Sequence, residues 1–335
     1  MTEAHRLEGE ADAAAIRYFS LGRHALTAGL GTLAVGKGHF VLVPEYICRD
    51  LLASIHAVQA KPLFYPVGQS LAPRSLPTQA GVKAVLAVNY FGFPQPLDPF
   101  RGYCAAHGAA LIEDNAHGFL SRDEHGTPLG SRGDIGIVSL RKTFALPDGA
   151  ALLANRQPWR DRLPAPLPCR PDALPAGYRV KRRLRHIQNS TGIHVRTFSE
   201  RMIRIVRRIR TGQALPISLP ESEFEIPGTP AIHCESLRML EKIDASKEVD
   251  RRRGLYETFH RDLRHTRIEP VFGDLPPFVA PYGYPFRAMS SEALKVAKIA
   301  TREGFDCASW PDLPSVVAPG SPDFYRNVWW INFLC

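Results

Sequence analysis

Leu111-Ile112-Glu113-Asp114-Asn115-Ala116-His117-Gly118-Phe119 begins as an apolar run and ends in two carboxylates and an imidazole. With Ala109 and Ala110 in front, the apolar part reads as a short buried strand. A strand closing in carboxylates sets charge at its carboxyl end, where open α/β sheets bind their ligands. A second apolar strand, Ile135 to Leu140, contains Ser139, and Lys142 sits just beyond it. An acid (Asp114), an imidazole (His117), a hydroxyl (Ser139) and a lysine (Lys142) on adjacent strand ends predict one site.

Upstream the pattern repeats. His39 to Val43, Pro62 to Tyr65 and Val82 to Tyr90 read as strands, and Ile47 to Val58 and Leu97 to His107 as helices. Strands alternating with helices at this spacing predict a mainly parallel sheet covered on both faces. Gly22-Arg23-His24-Ala25-Leu26 leads into a helix with apolar positions at Leu26, Leu30 and Leu33. Backbone N–H groups at such a helix mouth point at an anion, and the helix dipole favours negative charge there. Residues 1 to about 18 receive no assignment.

Past Asn155 the character changes. Prolines 158, 164, 166, 168, 171 and 175 mark an irregular connector. A helix over Ile193 to Arg210 follows, with an apolar stripe and an arginine-rich opposite face, read as a solvated surface. Leu215 to Pro230 is a second proline-rich link. Ile232 to His265 is expected to form one long helix or two, Pro276 to Pro285 to be irregular, and Ser291 to Glu303 to be a helix capped by Gly304. The apolar end Trp329 to Cys335 suggests docking against the body or an incomplete chain. The expected division is a large α/β domain over 1–155, a connector over 156–230 and a smaller domain over 231–335.

Of the 335 residues, 44% are hydrophobic and 22% charged, as in ordinary soluble domains. No apolar run reaches the roughly 18 residues that suggest a membrane span, and no nucleic-acid motif is visible. The +9 formal charge suits a phosphate-bearing cofactor or substrate. Six cysteines without a CxxC pair argue against a zinc site or a disulfide framework, and for a reducing cytoplasm.

The stretches Glu113-Asp114-Asn115-Ala116-His117, Gly133-Asp134-Ile135-Gly136, Ser139, Lys142 and Asp148-Gly149-Ala150 together resemble the DegT–StrS family of pyridoxal-phosphate sugar aminotransferases. Gly22-Arg23-His24-Ala25-Leu26, the segment after the first strand and the helix around Arg251 to Leu263 extend the likeness. The resemblance implies the fold-type-I α/β architecture, with a mainly parallel sheet and a smaller α+β C-terminal domain. It implies pyridoxal 5'-phosphate as cofactor, covalently held by Lys142, with Asp114 at the pyridine nitrogen and His117 near the ring. Ser139 and the turn at Gly22, Arg23 and His24 then take the phosphate. The implied reaction passes an amino group from an amino-acid donor to a keto-sugar, expected to be nucleotide-linked, for polysaccharide or secondary-metabolite synthesis, in a homodimer. The alternatives are a sugar dehydratase, which Lys142 speaks against because dehydrating relatives carry histidine there, and a non-catalytic binding or regulatory protein. Only Leu140 and Arg141 separate Ser139 from Lys142, where the family has four residues. The ring-stacking aromatic is expected near Tyr46 or Cys48, and the sequence does not choose between them.

Overall fold

The computed structural model describes residues 15–174, 176–180, 182–183 and 218–334. The basic helix expected over 193–210 lies outside them. Seven strands build the large sheet: β1 (Ile16–Phe19), β2 (Phe40–Pro44), β3 (Lys61–Tyr65), β4 (Val82–Val88), β5 (Ala110–Asn115), β6 (Ile135–Val138) and β7 (Ala150–Ala154). Their order is β1-β7-β6-β5-β4-β2-β3. The run from β6 to β3 is parallel, while β7 is antiparallel to both its neighbours.

The central strands are legible because both faces are covered. Every residue of β5 and all but one of β4 are buried, so each reads as a nearly unbroken apolar run rather than an alternation. Helices α1 (Gly22–Thr32), α2 (Leu52–Ala57) and α3 (Asp98–His107) flank this sheet. α3 ends at Gly108, whose left-handed φ of 64° lets the chain turn directly into β5.

The Gly-Asp-Ile-Gly segment earns its composition at the start of β6. Asp134 accepts the Leu111 backbone N–H at 2.7 Å, fixing the entry to β5 against β6. Gly136 meets the backbone of Gly130 so closely that a Cβ would fall inside the Gly130 carbonyl.

A second sheet of four antiparallel strands has the order β10-β11-β9-β8. Its members are β8 (Glu269–Pro270), β9 (Gly283–Arg287), β10 (Asp306–Ser309) and β11 (Val328–Asn332). Around it lie helices α5 (Cys234–Leu240), α6 (Ala245–Leu263) and α7 (Ser290–Arg302), the 234–263 region forming two helices. One apolar core joins the sheets, running from Val41, Leu86 and Ile112 to Tyr284, Phe286 and Phe333.

Three expectations are corrected. The unassigned N-terminal stretch contains β1, an edge strand of four residues whose Arg17 interrupts the apolar pattern. The segment read as irregular before Pro285 enters β9, where pairing to β11 outweighs the poor strand propensity of Gly283 and Pro285. The cysteine reading fails at one pair: Cys169 and Cys234 form a disulfide across a sequence separation of 65. Their proximity is tertiary, because Arg170 and His233 beside them form a β-bridge. The apolar C-terminal segment is β11, paired to β9 on one side and β10 on the other.

Candidate active site

β5 and β6 end side by side, with Asp114 paired to Ile137 in register. Alternation along β5 then sends the two carboxylates to opposite faces. Glu113, fully buried, turns away from the other site residues. It takes the Arg132 backbone N–H and side chain at 2.8 Å each and the Asn89 amide at 2.9 Å, so it is a structural acid. Asp114 accepts only the Ala116 backbone N–H, at 2.9 Å to Oδ1, among the described residues. Burial pushes its carboxyl up from the ordinary value, while the Ala116 N–H and the charge of Lys142 pull back. A buried carboxylate with one oxygen still unserved is matched to a cationic N–H partner.

β6 ends at Val138, one residue short of Ser139. Ser139 instead precedes a single helical turn, α4 (Leu140–Thr143), which carries Lys142. That turn places Lys142 Nζ 3.3 Å from His117 Nε2. His117 is buried, and burial followed by the Lys142 charge holds its imidazole well below the usual range, hence neutral. The Phe91 backbone N–H donates to His117 Nδ1 at 3.3 Å, and a peptide N–H cannot reverse that role. The neutral ring therefore carries its proton on Nε2.

His117 is held in place by aromatic rings from the C-terminal part. Tyr282 stacks on it at 4.4 Å between centroids and 13° between planes, and Trp330 stacks on Tyr282 at 4.6 Å. Trp310 meets His117 edge-on at 5.2 Å. The sequence reading missed all three. Tyr282 sits in Pro281-Tyr282-Gly283-Tyr284-Pro285, a run whose prolines hide the strand behind it.

Of the two aromatic-site candidates, Tyr46 is fully buried among Tyr90, Trp310 and Tyr325, its hydroxyl donating to the Trp310 carbonyl at 2.6 Å. It is part of the core. Cys48 is the member of the pair within electrostatic reach of Lys142, and burial lifts its thiol to about 12.

The mouth of α1 lies beside β6, with Gly22 placed over Ile137. Its first intrahelical bond is Ala25 N to Leu21 O at 3.1 Å, which leaves the N–H groups of Gly22, Arg23 and His24 outside the ladder. The Arg23 guanidinium pairs with Asp50 at 3.6 Å. Among the described residues His24 Nε2 is buried without a hydrogen-bond partner, and burial lowers its imidazole below the ordinary value. Ser139 is buried and does not cap its own helix. The structure thus brings Asp114, His117 and Lys142 together at the carboxyl edge of the sheet, with the Gly22–His24 turn at the neighbouring end of β6.

A mostly parallel sheet in this order, with helices on it and a smaller antiparallel sheet beyond, is the fold-type-I α/β architecture. The profile of the DegT/DnrJ/EryC1/StrS aminotransferase family matches residues 11–162, somewhat under half of the chain. The GDP-perosamine synthase of Vibrio cholerae is 28% identical over 143 residues, 41% of this chain and 39% of the synthase. The chain therefore aligns with well under half the length of that relative. Among solved structures, the aminotransferase TlmJ of Streptoalloteichus hindustanus superposes with a TM-score of 0.62 at 19% identity, covering 96% of this chain and 81% of TlmJ. The sugar aminotransferase Spr1654 of Streptococcus pneumoniae, in its PLP form, gives 0.62 at 15% identity, covering 99% and 85%. Aminotransferases of this family depend on pyridoxal 5'-phosphate.

The residues present fit that group. Its ring nitrogen matches the unserved oxygen of Asp114, its aldehyde the Lys142 amine, and its phosphate the N–H groups that the helix mouth leaves outside the ladder. Among the described residues, no helix is long and apolar enough to cross a membrane.

Proposed function

We propose that the chain is a pyridoxal-phosphate-dependent aminotransferase that moves an amino group from an amino-acid donor to a keto-sugar. The observation that carries this reading is the Lys142 amine held against a neutral imidazole, within the electrostatic field of a buried, half-served Asp114. Lys142 would hold the cofactor covalently and would move a proton at the substrate carbon. When bound, the cofactor supplies the electron sink for charge on that carbon. Asp114 holds the proton on the ring nitrogen. His117 packs near the ring, and its Nε2–H is directed at Lys142 Nζ. Gly22, Arg23, His24 and Ser139 bind the phosphate, the first three through the helix mouth.

The relative named for GDP-perosamine supports a nucleotide-linked sugar as the acceptor, and the +9 charge suits such an anion. We take the working unit to be a cytoplasmic homodimer, with residues 1–155 as the cofactor domain, 156–230 as connector and 231–335 as the smaller domain. The pathway is polysaccharide or secondary-metabolite sugar synthesis.

The test is a visible absorption spectrum of purified protein with pyridoxal phosphate, before and after glutamate. The band of lysine-bound cofactor is expected, its bleaching by an amino donor is expected, and Lys142→Ala is expected to abolish it. A band that survives Lys142→Ala refutes the assignment of the lysine. No band in the parent protein refutes the cofactor reading.

A further inference from the structure

Arg252 is a fully buried cation, 1% exposed, on the α6 helix of the C-terminal part. Its fork serves three segments at once. Nε donates to Glu248 Oε1 at 2.6 Å, one helical turn back. Nη1 donates to the carbonyls of Pro281 and Tyr282 at 3.1 and 3.3 Å. Nη2 donates to the Thr143 carbonyl at 2.7 Å.

Two of these targets adjoin the reacting amine. Thr143 closes the single turn that bears Lys142, and its carbonyl is one of those a helix end leaves without an intrahelical donor. Tyr282 is the ring stacked behind His117. The same guanidinium therefore fixes Lys142 from its own backbone and His117 from behind, across a contact of 3.3 Å. We propose that Arg252 is a positioning residue for Lys142: it sets the Nζ–Nε2 contact by clamping the Lys142 turn and the Tyr282 segment to one rigid plane.

This rests on the reading of Lys142 as the reacting amine. A lysine at 252 would keep the charge and its pairing with Glu248. It has no planar fork, so it cannot serve two backbone segments together. The titratable groups around Lys142 are Asp114 and His117 from the end of β5 and Cys48 from the loop after β2, with Arg141 beside it on its own turn.

The experiment measures how fast Lys142 of the cofactor-free full chain is modified by trinitrobenzenesulfonate, followed by peptide mass spectrometry from pH 6 to 10. The comparison is between parent and Arg252→Lys, alongside thermal melting. The expected result is a variant that folds with a lowered melting temperature, with Lys142 labelling at neutral pH slowed on the order of ten- to a hundredfold, the scale of a misplaced reacting group. The pH at which its labelling rises is expected to move. Labelling and pH profile equal to the parent overturn the proposal, since a staple of purely structural kind changes melting and not lysine reactivity. If Arg252→Lys does not fold, Tyr282→Leu replaces it, leaving the fork and removing the ring it holds; slowed labelling then supports the clamp and unchanged labelling overturns it. The assay needs no cofactor. Failure of the parent to take up pyridoxal phosphate thus counts against the proposed function alone, and the labelling ratio counts for or against Arg252.

Discussion

Asp148 closes the loop that follows Lys142, and replacing it by alanine or by asparagine should give clearly different losses. Its Oδ1 accepts the Ser236 hydroxyl at 2.7 Å and the His233 backbone N–H at 3.1 Å, while Oδ2 takes Arg170 at 2.7 Å. Ser236 is fully buried and His233 nearly so. Asp148→Ala leaves both of those donors buried and unserved, at about 1–3 kcal/mol each, so about 2–6 kcal/mol in all. Arg170 adds little, because it is partly exposed and keeps Asp172 and the Ala231 carbonyl. Asparagine retains an oxygen for Ser236 and His233 and forfeits only the Arg170 pair, about 1 kcal/mol after solvent screening. Urea unfolding followed by tryptophan fluorescence measures both, with the slope checking that the unfolded states match. An asparagine variant as unstable as the alanine one would refute this reasoning, and so would an alanine variant within about 0.5 kcal/mol of the parent, the range of ordinary surface changes.

Other expectations follow from the same geometry. The folded state holds His117 neutral below its ordinary value of 6.5, whereas the unfolded chain takes up that proton. Stability of the cofactor-free protein should therefore fall as pH drops below 6.5, by up to about 1.4 kcal/mol per pH unit from this residue, and His117→Asn should flatten that limb in urea titrations at a series of pH values. Gly136→Ala forces a methyl into the Gly130 carbonyl and should cost about 3 kcal/mol, the upper end of overpacking, read as a lower melting temperature; an unshifted melt would mean that β6 is not seated as described. Cys234→Ala should lose about 2–4 kcal/mol, and reductant should bring the parent down to the level of the variant without affecting the variant itself.

Much of the large sheet was legible because buried parallel strands advertise themselves as continuous apolar runs, as β4 and β5 do. β1 was not, since a four-residue edge strand containing Arg17 carries too little pattern. β9 escaped for a different reason: Gly283 and Pro285 argue locally against a strand, and the pairing with β11 that overrides them lies some 45 residues downstream in the chain, beyond any local window. The convergence of Asp114, His117 and Lys142 at adjacent strand ends was readable from spacing and resemblance. The role of Glu113 was not, because its partner Arg132 is brought to it by the turn before β6. Tyr282, Trp310 and Arg252 reach the site only through the packing of one sheet on the other. The Cys169–Cys234 bond was missed because cysteine spacing was read as a compartment signal, and two distant cysteines acquire meaning only once Arg170 and His233 form a bridge.

That bond has a further consequence for anyone handling the protein. It closes everything between Arg170 and His233 into a covalent ring, so a proteolytic nick within that span yields two fragments that still migrate as one species on a gel run without reductant. Each fragment would carry one half of the Arg252–Thr143 attachment, and the pair would come apart only when the sulfurs were reduced and the chains denatured.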